Sequence, residues 1–315
     1  KDKNFTLTSK FYANEHPLFT GEYHQAFKSS SFIADFGFTE GYNDTNATKT
    51  EGAKSHIFSK FVKNFKGKNG SSNSLNISLQ DVSNDKYLKL YKIETNLIDY
   101  NQSYLENSIN FSKSDNDYFF SLDASIYETL KETYNDKYEY ILPEITLDKN
   151  IFASTKFGIL DLQSNFEIQN YDTNKTSKLL INDFDWEIKN TTFYNSLKSK
   201  FFSKIKNINY DAKNIVNYKN DTTSELYGAL GYLAELDFVK KAQSTHFLSP
   251  KILLKYAPGS MRKEEKGSRL DPDNAFTLDR LDTKENFETG LSASVGFDYE
   301  IDDHFALSVA QVINE

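Results

Sequence analysis

FIADFGFT, residues 32–39, alternates apolar side chains with smaller or polar ones in steps of two. A β-strand places successive side chains on opposite faces, so this period predicts a strand with one apolar and one polar face. LSASVGFDY, residues 291–299, repeats the pattern close to the other end of the chain. The alternation therefore defines the fold class before any motif is considered.

The same alternation recurs along the chain between polar, turn-rich stretches such as residues 41–50, 66–73, 112–117 and 171–175. Several alternating segments run for about nine residues or more, which suits a tilted membrane-spanning strand, whereas strands of globular proteins average about five or six residues. A spacing of roughly 20 residues per strand and loop gives on the order of 14–16 strands. We therefore predict an all-β fold, an antiparallel transmembrane β-barrel or part of a larger one, over residues 1–315.

The alternation also predicts which side chains share a face. We expect the apolar set to face lipid and the alternate polar set to face the barrel interior. The predicted lipid-facing residues are Phe32, Phe36, Leu122, Leu160, Trp186 and Val295, and their predicted inward-facing neighbours are Asp35, Asp123, Asp161, Asp185 and Ser294.

Composition excludes several classes of protein. No apolar run approaches the roughly 20 residues that a membrane-spanning helix needs. Asp and Glu (45) outnumber Lys and Arg (37), which gives a net charge of -8 and argues against a nucleic-acid partner. The chain has no cysteine, so disulfides, thiol catalysis and thiolate metal sites are excluded.

No pattern in the sequence indicates catalysis. Paired metal-ligand spacings, a nucleophile elbow and glycine-rich phosphate loops are all absent. The histidines are scattered at His16, His24, His56, His246 and His304. We therefore predict a protein that is not an enzyme and that needs neither metal nor cofactor.

Two stretches resemble the barrel domain of the LPS-assembly protein family, LptD, also called the organic solvent tolerance protein family. NFTLTSKFYANEHPLFTGEYHQAFKSSSFIADFGFTEGY, residues 4–42, has a T-x-T element, a short turn, G-E-Y-x-Q and an alternating strand. LSPKILLKYAPG, residues 248–259, is followed by RLDPDNAFTLDRLDTKENFETGLSASVGFDYEI, residues 269–301. YILPEI, residues 140–145, is similar to a mid-barrel element of the family. The second motif is matched by Asp271, Asn274, Phe276, Arg280, Glu288 and Gly290.

The resemblance implies lipid transport at the outer membrane of a Gram-negative bacterium. In the family, lipopolysaccharide arrives along periplasmic bridge proteins, and a plug lipoprotein sits inside the barrel. The acyl chains leave through a lateral gate between the first and last barrel strands, and the sugars pass through the lumen. The chain would then be the N-terminal and middle part of such a barrel, without the upstream jellyroll and the closing strands.

The resemblance also places the gate on the first strand of this chain. Phe5, Leu7, Ser9 and Phe11 would form the gate strand, and Pro17 heads the second strand. Many family members have a proline directly after the T-x-T element, and Ser9 takes that place here. We expect the first strand to be an edge of the sheet, because its family partner is the last barrel strand.

Two charged features predict specific contacts. Arg280 has acidic residues nearby in sequence, and its planar guanidinium suits a two-point contact with a carboxylate, so we expect an ordered segment from Asp271 to Arg280.

A second charged feature is a row of lysines on the polar face of one strand, at Lys198, Lys200, Lys204 and Lys206. If this strand and the preceding one form a hairpin through residues 189–196, opposed positions pair Glu187 with Lys198 and Asp185 with Lys200. That register leaves Lys204 and Lys206 as candidates to contact phosphates of lipopolysaccharide.

Two other functions fit the alternation. One is a porin or solute transporter of the outer membrane, which only the motif resemblance disfavours. The other is a soluble secreted β-protein such as an adhesin, whose apolar faces would meet in a core.

Overall fold

The computed structural model describes residues 2–13, 15–43, 51–67, 70–131, 136–171, 174–193, 197–216, 218–219, 221–262, 269–302 and 304–315. Within these ranges the chain contains sixteen β-strands, one short helix and one turn of 3-10 helix, which confirms the all-β prediction and its strand number. The strands are β1 (Lys3–Lys10), β2 (Leu18–Ala26), β3 (Ser30–Gly41), β4 (Glu51–Lys66), β5 (Ser72–Val82), β6 (Tyr104–Asp115), β7 (Tyr118–Thr129), β8 (Tyr138–Ser154), β9 (Gly158–Tyr171), β10 (Lys175–Phe193), β11 (Leu197–Lys213), β12 (Thr223–Leu236), β13 (Phe238–Lys241), β14 (Thr245–Ala257), β15 (Gly290–Ile301) and β16 (Phe305–Asn314).

The strands form one antiparallel sheet in which neighbours follow chain order. The order runs from β1 to β12 and continues with β14, β15 and β16, while the short β13 pairs with β14. The chain divides into two compact units, the first made of residues 1–146 with 166–178 and the second of residues 147–165 with 179–315.

Connections in the first unit alternate between short and long. The connections after β2, β4 and β6 are short in sequence, whereas those after β3 and β5 are longer. Because successive antiparallel strands reverse direction, the short turns share one end of the strands and the long connections share the other. The second unit repeats this pattern, with connections that are short in sequence after β13 and β15 and long ones after β11 and β14.

Each unit has a row of apolar residues across neighbouring strands on one face, which we call its open face. In the first unit the row crosses β3 to β7 and comprises Phe32, Phe61, Ile77, Ile109 and Ala124. In the second unit the row crosses β11, β12, β14, β15 and β16 and comprises Phe201, Tyr232, Leu254, Ala293 and Ile313. Aligned rows of this kind follow from period-two patterning in a matched register.

The opposite side of each unit's strands, which we call its covered face, holds buried polar groups. In β3, Phe36 is 42% exposed, whereas the adjacent Asp35 is 1% exposed. On the covered face of the first unit, Asn110 accepts a hydrogen bond from Asn76 at 3.2 Å and donates one to Asp123. These strands therefore expose apolar side chains on one face and place hydrogen-bonded polar groups on the other.

The predicted division of side chains between the two faces is confirmed in the second unit as well. Trp186 packs its ring against Phe201 of the open face, at 6.0 Å between centroids. Its neighbour Asp185 instead accepts a hydrogen bond from Lys204 at 3.0 Å. Ser294 is 1% exposed, and Val295 is partly exposed beside it. Lipid contact by the open face stays a prediction.

Two long connections contribute to the cores of the two units, together with residues of the strands. Loop A, residues 83–103 between β5 and β6, contains the helix α1 (Tyr87–Tyr91) and packs on the covered face of the first unit. Loop B, the described residues 258–262 and 269–289 between β14 and β15, packs on the covered face of the second unit through Leu278 and Phe287. The largest fully buried side chains include Tyr87 of loop A and Phe287 of loop B.

Candidate functional site

The first candidate site is the strand at one end of the sheet order. β1 pairs with β2 in the register Phe5 with Tyr23 and Leu7 with Gly21, and no second neighbour is found among the described residues. Phe5 and Leu7 are 56% and 63% exposed. The prediction that this strand is an edge is confirmed. An edge strand carries backbone donors and acceptors that can pair with a further strand.

The remaining predicted gate residues lie next to this edge. Ser9 is in β1 and keeps a backbone N–H that proline would lack. Phe11 follows the strand, is 78% exposed and contacts the Phe19 ring edge-on at 6.3 Å. Pro17 directly precedes β2. Their role in a gate stays a prediction.

Aromatic rings join the edge strand to its neighbours on the open face. Phe5 stacks on Phe36 across β2, with 6.3 Å between ring centroids. The intervening residue is Gly21, and a Cβ added there would lie 2.5 Å from Cζ of Phe36. Glycine therefore provides the space in which a ring of β3 reaches the ring of the edge strand.

Under loop A, a buried polar triad joins three elements. His56 of β4 contacts Asp35 of β3 at 2.8 Å through Nε2 and the Tyr87 hydroxyl of α1 at 3.2 Å through Nδ1. The side chains of His56 and Asp35 are 0% and 1% exposed. Gly37 makes room for the triad, because a Cβ there would lie 2.4 Å from Cε1 of His56. The sequence marked Asp35 as inward-facing but gave no sign of the other two members of the triad.

Burial in loop A changes the acidity of two tyrosines of α1. Burial, together with the charges of Tyr91 and Asp35, raises the pKa of Tyr87 above its ordinary value. Burial raises the pKa of Tyr91 to about 12, although the nearby Thr39 acts in the opposite direction. Both phenols are therefore held neutral where the loop packs on the strands.

A cleft of about 440 Å³ lies between loop A and the edge strand. Its walls are the polar sides of β1 and β2, which carry Thr6, Thr8, Lys10 and Glu22, and residues 93–96 of loop A. The edge strand thus has an apolar side on the open face and a hydroxyl-bearing side that lines this cleft.

The motif residues of loop B form one hydrogen-bonded structure. Asp271 Oδ1 accepts hydrogen bonds from the backbone N–H groups of Asp273 at 3.0 Å and Asn274 at 2.8 Å. Asn274 Nδ2 donates to the carbonyl of Arg269 at 2.7 Å. Asn274 then begins a 3-10 turn that ends at Phe276. These contacts explain why Asp stands at position 271 and Asn at position 274, since both side chains close local turns.

Arg280 anchors loop B to the strands. Its Nε donates to Glu288 Oε2 at 2.7 Å and its Nη2 to Glu288 Oε1, so the predicted carboxylate contact is confirmed, with Glu288 as the partner. Nη2 also lies 3.3 Å from Ser292 Oγ and from Asn314 Oδ1. Lys255 Nζ is 3.0 Å from Glu288 Oε2. One carboxylate therefore meets two cations on the covered face.

The environment of Glu288 favours its charged form. Burial raises the pKa of this carboxyl, but the hydrogen bonds and positive charges of Arg280 and Lys255 together lower it by more. Its pKa therefore lies below the ordinary value. Gly290, which opens β15 two residues later, has a φ of 113°, a conformation that glycine adopts at little cost.

Close packing against glycines also holds loop B on the strands. A Cβ added at Gly231 would lie 2.7 Å from Cδ2 of Leu278. A Cβ added at Gly296 would lie 2.2 Å from the carbonyl oxygen of Val309 in β16 and 3.1 Å from Cζ of Phe276. Gly231 thus leaves space for a side chain of the loop, and Gly296 leaves space for the backbone of β16 as well as for the loop, a feature that the sequence did not reveal.

The lysine row pairs differently from the prediction. Lys198 contacts Asp237 at 2.6 Å and Glu235 at 3.7 Å, and Lys200 contacts Glu187. The predicted pairs, Glu187 with Lys198 and Asp185 with Lys200, were therefore wrong.

The two remaining lysines also have acidic partners, contrary to the prediction. Lys204 lies 3.0 Å from Asp185 and 3.5 Å from Asp183, and Lys206 lies 3.4 Å from Asp279 and 3.8 Å from Asp183. A phosphate contact of Lys204 and Lys206 stays a prediction, and these ion pairs offset the charge on which it depends.

Two further findings concern the described residues as a whole. No group of three or more His, Asp or Glu side chains is placed among them to hold a metal ion. No helix in these ranges is long and apolar enough to cross a membrane.

Comparison of the sequence with protein-family models and with curated proteins finds no match. The resemblance to the LPS-assembly family therefore stays a prediction that rests on its motifs. The structure adds that the residues of the second motif, from Asp271 to Gly290, belong to one loop and its junction with β15.

Proposed function

We propose that this chain forms part of an outer-membrane β-barrel that inserts lipopolysaccharide into the outer leaflet. The observation that carries the proposal is the edge strand β1, whose two sides differ in chemistry. Leu7 is exposed on the apolar side, and Thr6, Thr8 and Lys10 line a polar cleft on the other. An amphiphile with acyl chains and sugars matches such a strand on both sides.

The sheet itself supports a location in the outer membrane. Long antiparallel strands with apolar residues on one face and polar residues on the other are typical of transmembrane barrels. Short turns at one end of the strands and longer loops at the other are also typical of them. The soluble alternative lacks this support, because the apolar rows are exposed and the buried cores lie on the opposite, polar face.

The proposed partners follow from the proposed task. Lipopolysaccharide would reach the barrel from periplasmic bridge proteins, pass its sugars along the covered faces and release its acyl chains beside β1. A plug lipoprotein would occupy the barrel interior. The work is transport, so it needs no catalytic group and no cofactor.

Photo-crosslinking tests the proposal where it is most specific. A photo-reactive amino acid at Leu7 or Thr8 should form an adduct with lipopolysaccharide in cells, because these positions lie on the two sides of the gate strand. The matched control is Leu230, which is 50% exposed on the open face of β12, within the sheet. Adducts at Leu7 and Thr8 but not at Leu230 support the proposal, and equal labelling of all three positions contradicts it.

Depletion in cells separates transport of lipopolysaccharide from a general porin function. Loss of the protein should lower lipopolysaccharide at the cell surface and leave uptake of small solutes unchanged. In the complete protein, a disulfide between Leu7→Cys and a cysteine on the closing strand should block export without preventing folding. Normal surface lipopolysaccharide in the depleted cells would argue for another kind of barrel.

A further inference from the structure

The cleft between loop A and the edge strand has unused hydrogen-bonding capacity on both of its walls. On the wall formed by β1 and β2, no hydrogen bond of the hydroxyl groups of Thr6, Thr8 and Thr20 is found within the described residues. Thr8 and Thr20 lie directly opposite each other in the register. On the wall formed by loop A, the carboxylate of Glu94 likewise has no partner in the part of the chain that the structure describes. These groups are available to a ligand.

The cleft has the size of a small-molecule site and is almost entirely polar. Its volume of about 440 Å³ lies in the range of about 300–1,000 Å³ that such sites occupy. Ile93 is the one apolar side chain among the described residues that line it, and Ile93 is itself 2% exposed. An acyl chain would therefore find no apolar wall here. Sugar hydroxyls would instead meet the hydroxyl groups of threonines, the Glu94 carboxylate and the Asn96 amide.

The charge of the cleft disfavours phosphate. Lys10 is the one cation among the described lining residues, whereas the lining carboxylates are those of Glu22, Asp35 and Glu94. The net charge of the cleft is therefore -2 when the neighbouring histidines are neutral. His24 lies 2.7 Å from Glu22 and His56 lies 2.8 Å from Asp35, so protonation of both would raise the sum only to zero. A phosphate group would meet a surface without excess positive charge, and like charges brought together are unfavourable.

The carboxylates of the cleft do not form a metal site. Within the described ranges, no group of three or more His, Asp or Glu side chains is placed to hold a metal ion. Two of the three carboxylates already have a histidine partner, and the third, Glu94, belongs to the opposite wall. Carboxylates spread along a cleft in this way can each accept hydrogen bonds from hydroxyl or ammonium groups of one extended ligand.

We propose that this cleft binds a short glycan without phosphate, made of neutral or amino sugars. The inference rests on the proposed function and adds to it a charge preference, because unphosphorylated sugars would pass beside β1 and phosphorylated ones would be disfavoured there. The threonine hydroxyls would donate to and accept from sugar hydroxyls, and Glu94 would accept from the other side. No aromatic ring is found among the described lining residues for a sugar to stack on, so we expect weak binding, which suits a path of transport.

Protection of a cysteine tests the cleft with soluble sugars. The chain has no native cysteine, so Thr8→Cys places a single thiol on the cleft side of β1. Ser112→Cys is the matched control, because Ser112 lies on the covered face of β6 in the same unit, two residues from Asn110, and does not line the cleft. The purified whole chain in detergent would react with an uncharged, water-soluble thiol reagent. The reaction would be followed with millimolar chitobiose, with the corresponding glucosamine disaccharide and with chitobiose that carries one phosphate.

Both unphosphorylated disaccharides should slow the reaction of Thr8→Cys and leave that of Ser112→Cys unchanged. The phosphorylated disaccharide should need about tenfold higher concentration for the same protection, because of its charge. Equal protection by all three sugars, protection of both thiols, or no protection of Thr8→Cys by any sugar overturns the proposal.

Charge reversal at Glu94 gives a second readout. Glu94→Lys raises the net charge of the cleft from -2 to zero, so in the Thr8→Cys background it should narrow the difference between the phosphorylated and unphosphorylated sugars. Glu51→Lys is the control, because Glu51 is an exposed glutamate of the same unit that does not line the cleft, and it should keep the full difference. An unchanged difference in Glu94→Lys contradicts the charge argument.

The failure of this inference can be told apart from failure of the proposed function. The sugars used have no acyl chains, so a negative result rejects glycan binding in the cleft and leaves the crosslinking of lipopolysaccharide in cells as the test of export. Absence of lipopolysaccharide adducts at Leu7, together with protection of Thr8→Cys, would instead reject export and leave a glycan-binding cleft.

Discussion

Substitutions at the two ends of the Glu288–Arg280 contact should destabilise the second unit to different extents. Glu288→Gln removes the carboxylate that lies between Arg280 and Lys255, and it leaves two buried cations facing each other. Arg280→Met leaves Lys255 paired with Glu288 at 3.0 Å. We therefore expect the loss of the carboxylate to be the more damaging change.

The magnitudes follow from the burial of the groups. Breaking a buried ion pair by removing one partner costs about 3–5 kcal/mol, because the other charge stays uncompensated. Glu288→Gln should lie at the upper end of that range, since it strands two cations. Arg280→Met should lie near its lower end, about 3 kcal/mol, because Glu288 keeps one cation. Asp298→Asn is the control, since it breaks a half-exposed pair with Lys251 and should change stability by about 1 kcal/mol or less.

The single tryptophan of the chain provides the assay. Trp186 packs against Phe201 and donates a hydrogen bond to the carbonyl of Phe157 at 2.8 Å, so its fluorescence reports on the second unit. Denaturant unfolding followed by this signal gives the free energy of unfolding for each variant. If Arg280→Met is as destabilising as Glu288→Gln or more so, the account of one carboxylate shared by two cations is refuted.

Three further predictions concern packing and pH. Gly231→Ala should destabilise the second unit by about 1–3 kcal/mol, because its Cβ would overlap Leu278. Gly228→Ala is the control and should not show this overpacking cost, because its Cβ would lie 3.9 Å from its nearest neighbour. Equal losses of stability in the two variants would refute the packing argument. The pKa of Glu288 is lowered in the folded state, so its stabilising contribution should be complete above the ordinary glutamate pKa of about 4.3 and should be lost as pH falls through the folded pKa. The free energies of unfolding of Glu288→Gln and of the unchanged chain should therefore converge as the pH is lowered. The raised pKa of Tyr91, about 12, predicts that its contribution to the stability of the first unit is complete below about pH 10 and is lost as pH rises toward 12. Tyr91→Phe should reduce this alkaline loss of stability in unfolding measurements.

The sequence predicted the strands and their faces because period two is a local property. Asp35 next to Phe36 is enough to assign the two sides of β3, whatever the rest of the chain does. The edge position of β1 was also predictable, although only through the family resemblance. The carboxylate contact of Arg280 followed from the density of acidic residues around it and from the geometry of its guanidinium.

Contacts between distant segments were not predictable from the same signals. The register of β10 against β11 depends on the connection around residues 189–196, and an assumed tight hairpin placed the partner of Glu187 at Lys198 instead of Lys200. The packing of loops A and B on the covered faces depends on contacts such as that of Leu278 with Gly231. Such matches join residues far apart in sequence, and alternation along one strand contains no information about them.

The central claim is that the open face of the sheet contacts lipid, and labelling along β12 in liposomes tests it most directly. The chain has no native cysteine, so single substitutions such as Leu226→Cys, Leu230→Cys, Leu233→Cys and Glu235→Cys can each carry one spin label. Leu226 and Leu230, 73% and 50% exposed, should be accessible to oxygen dissolved in the bilayer and protected from a water-soluble nickel reagent. Leu233 and Glu235, on the covered face, should lose the oxygen accessibility, so that the signal alternates with a period of two. Equal oxygen accessibility at all four positions, or access of the nickel reagent to Leu226 and Leu230, would contradict a lipid-facing sheet.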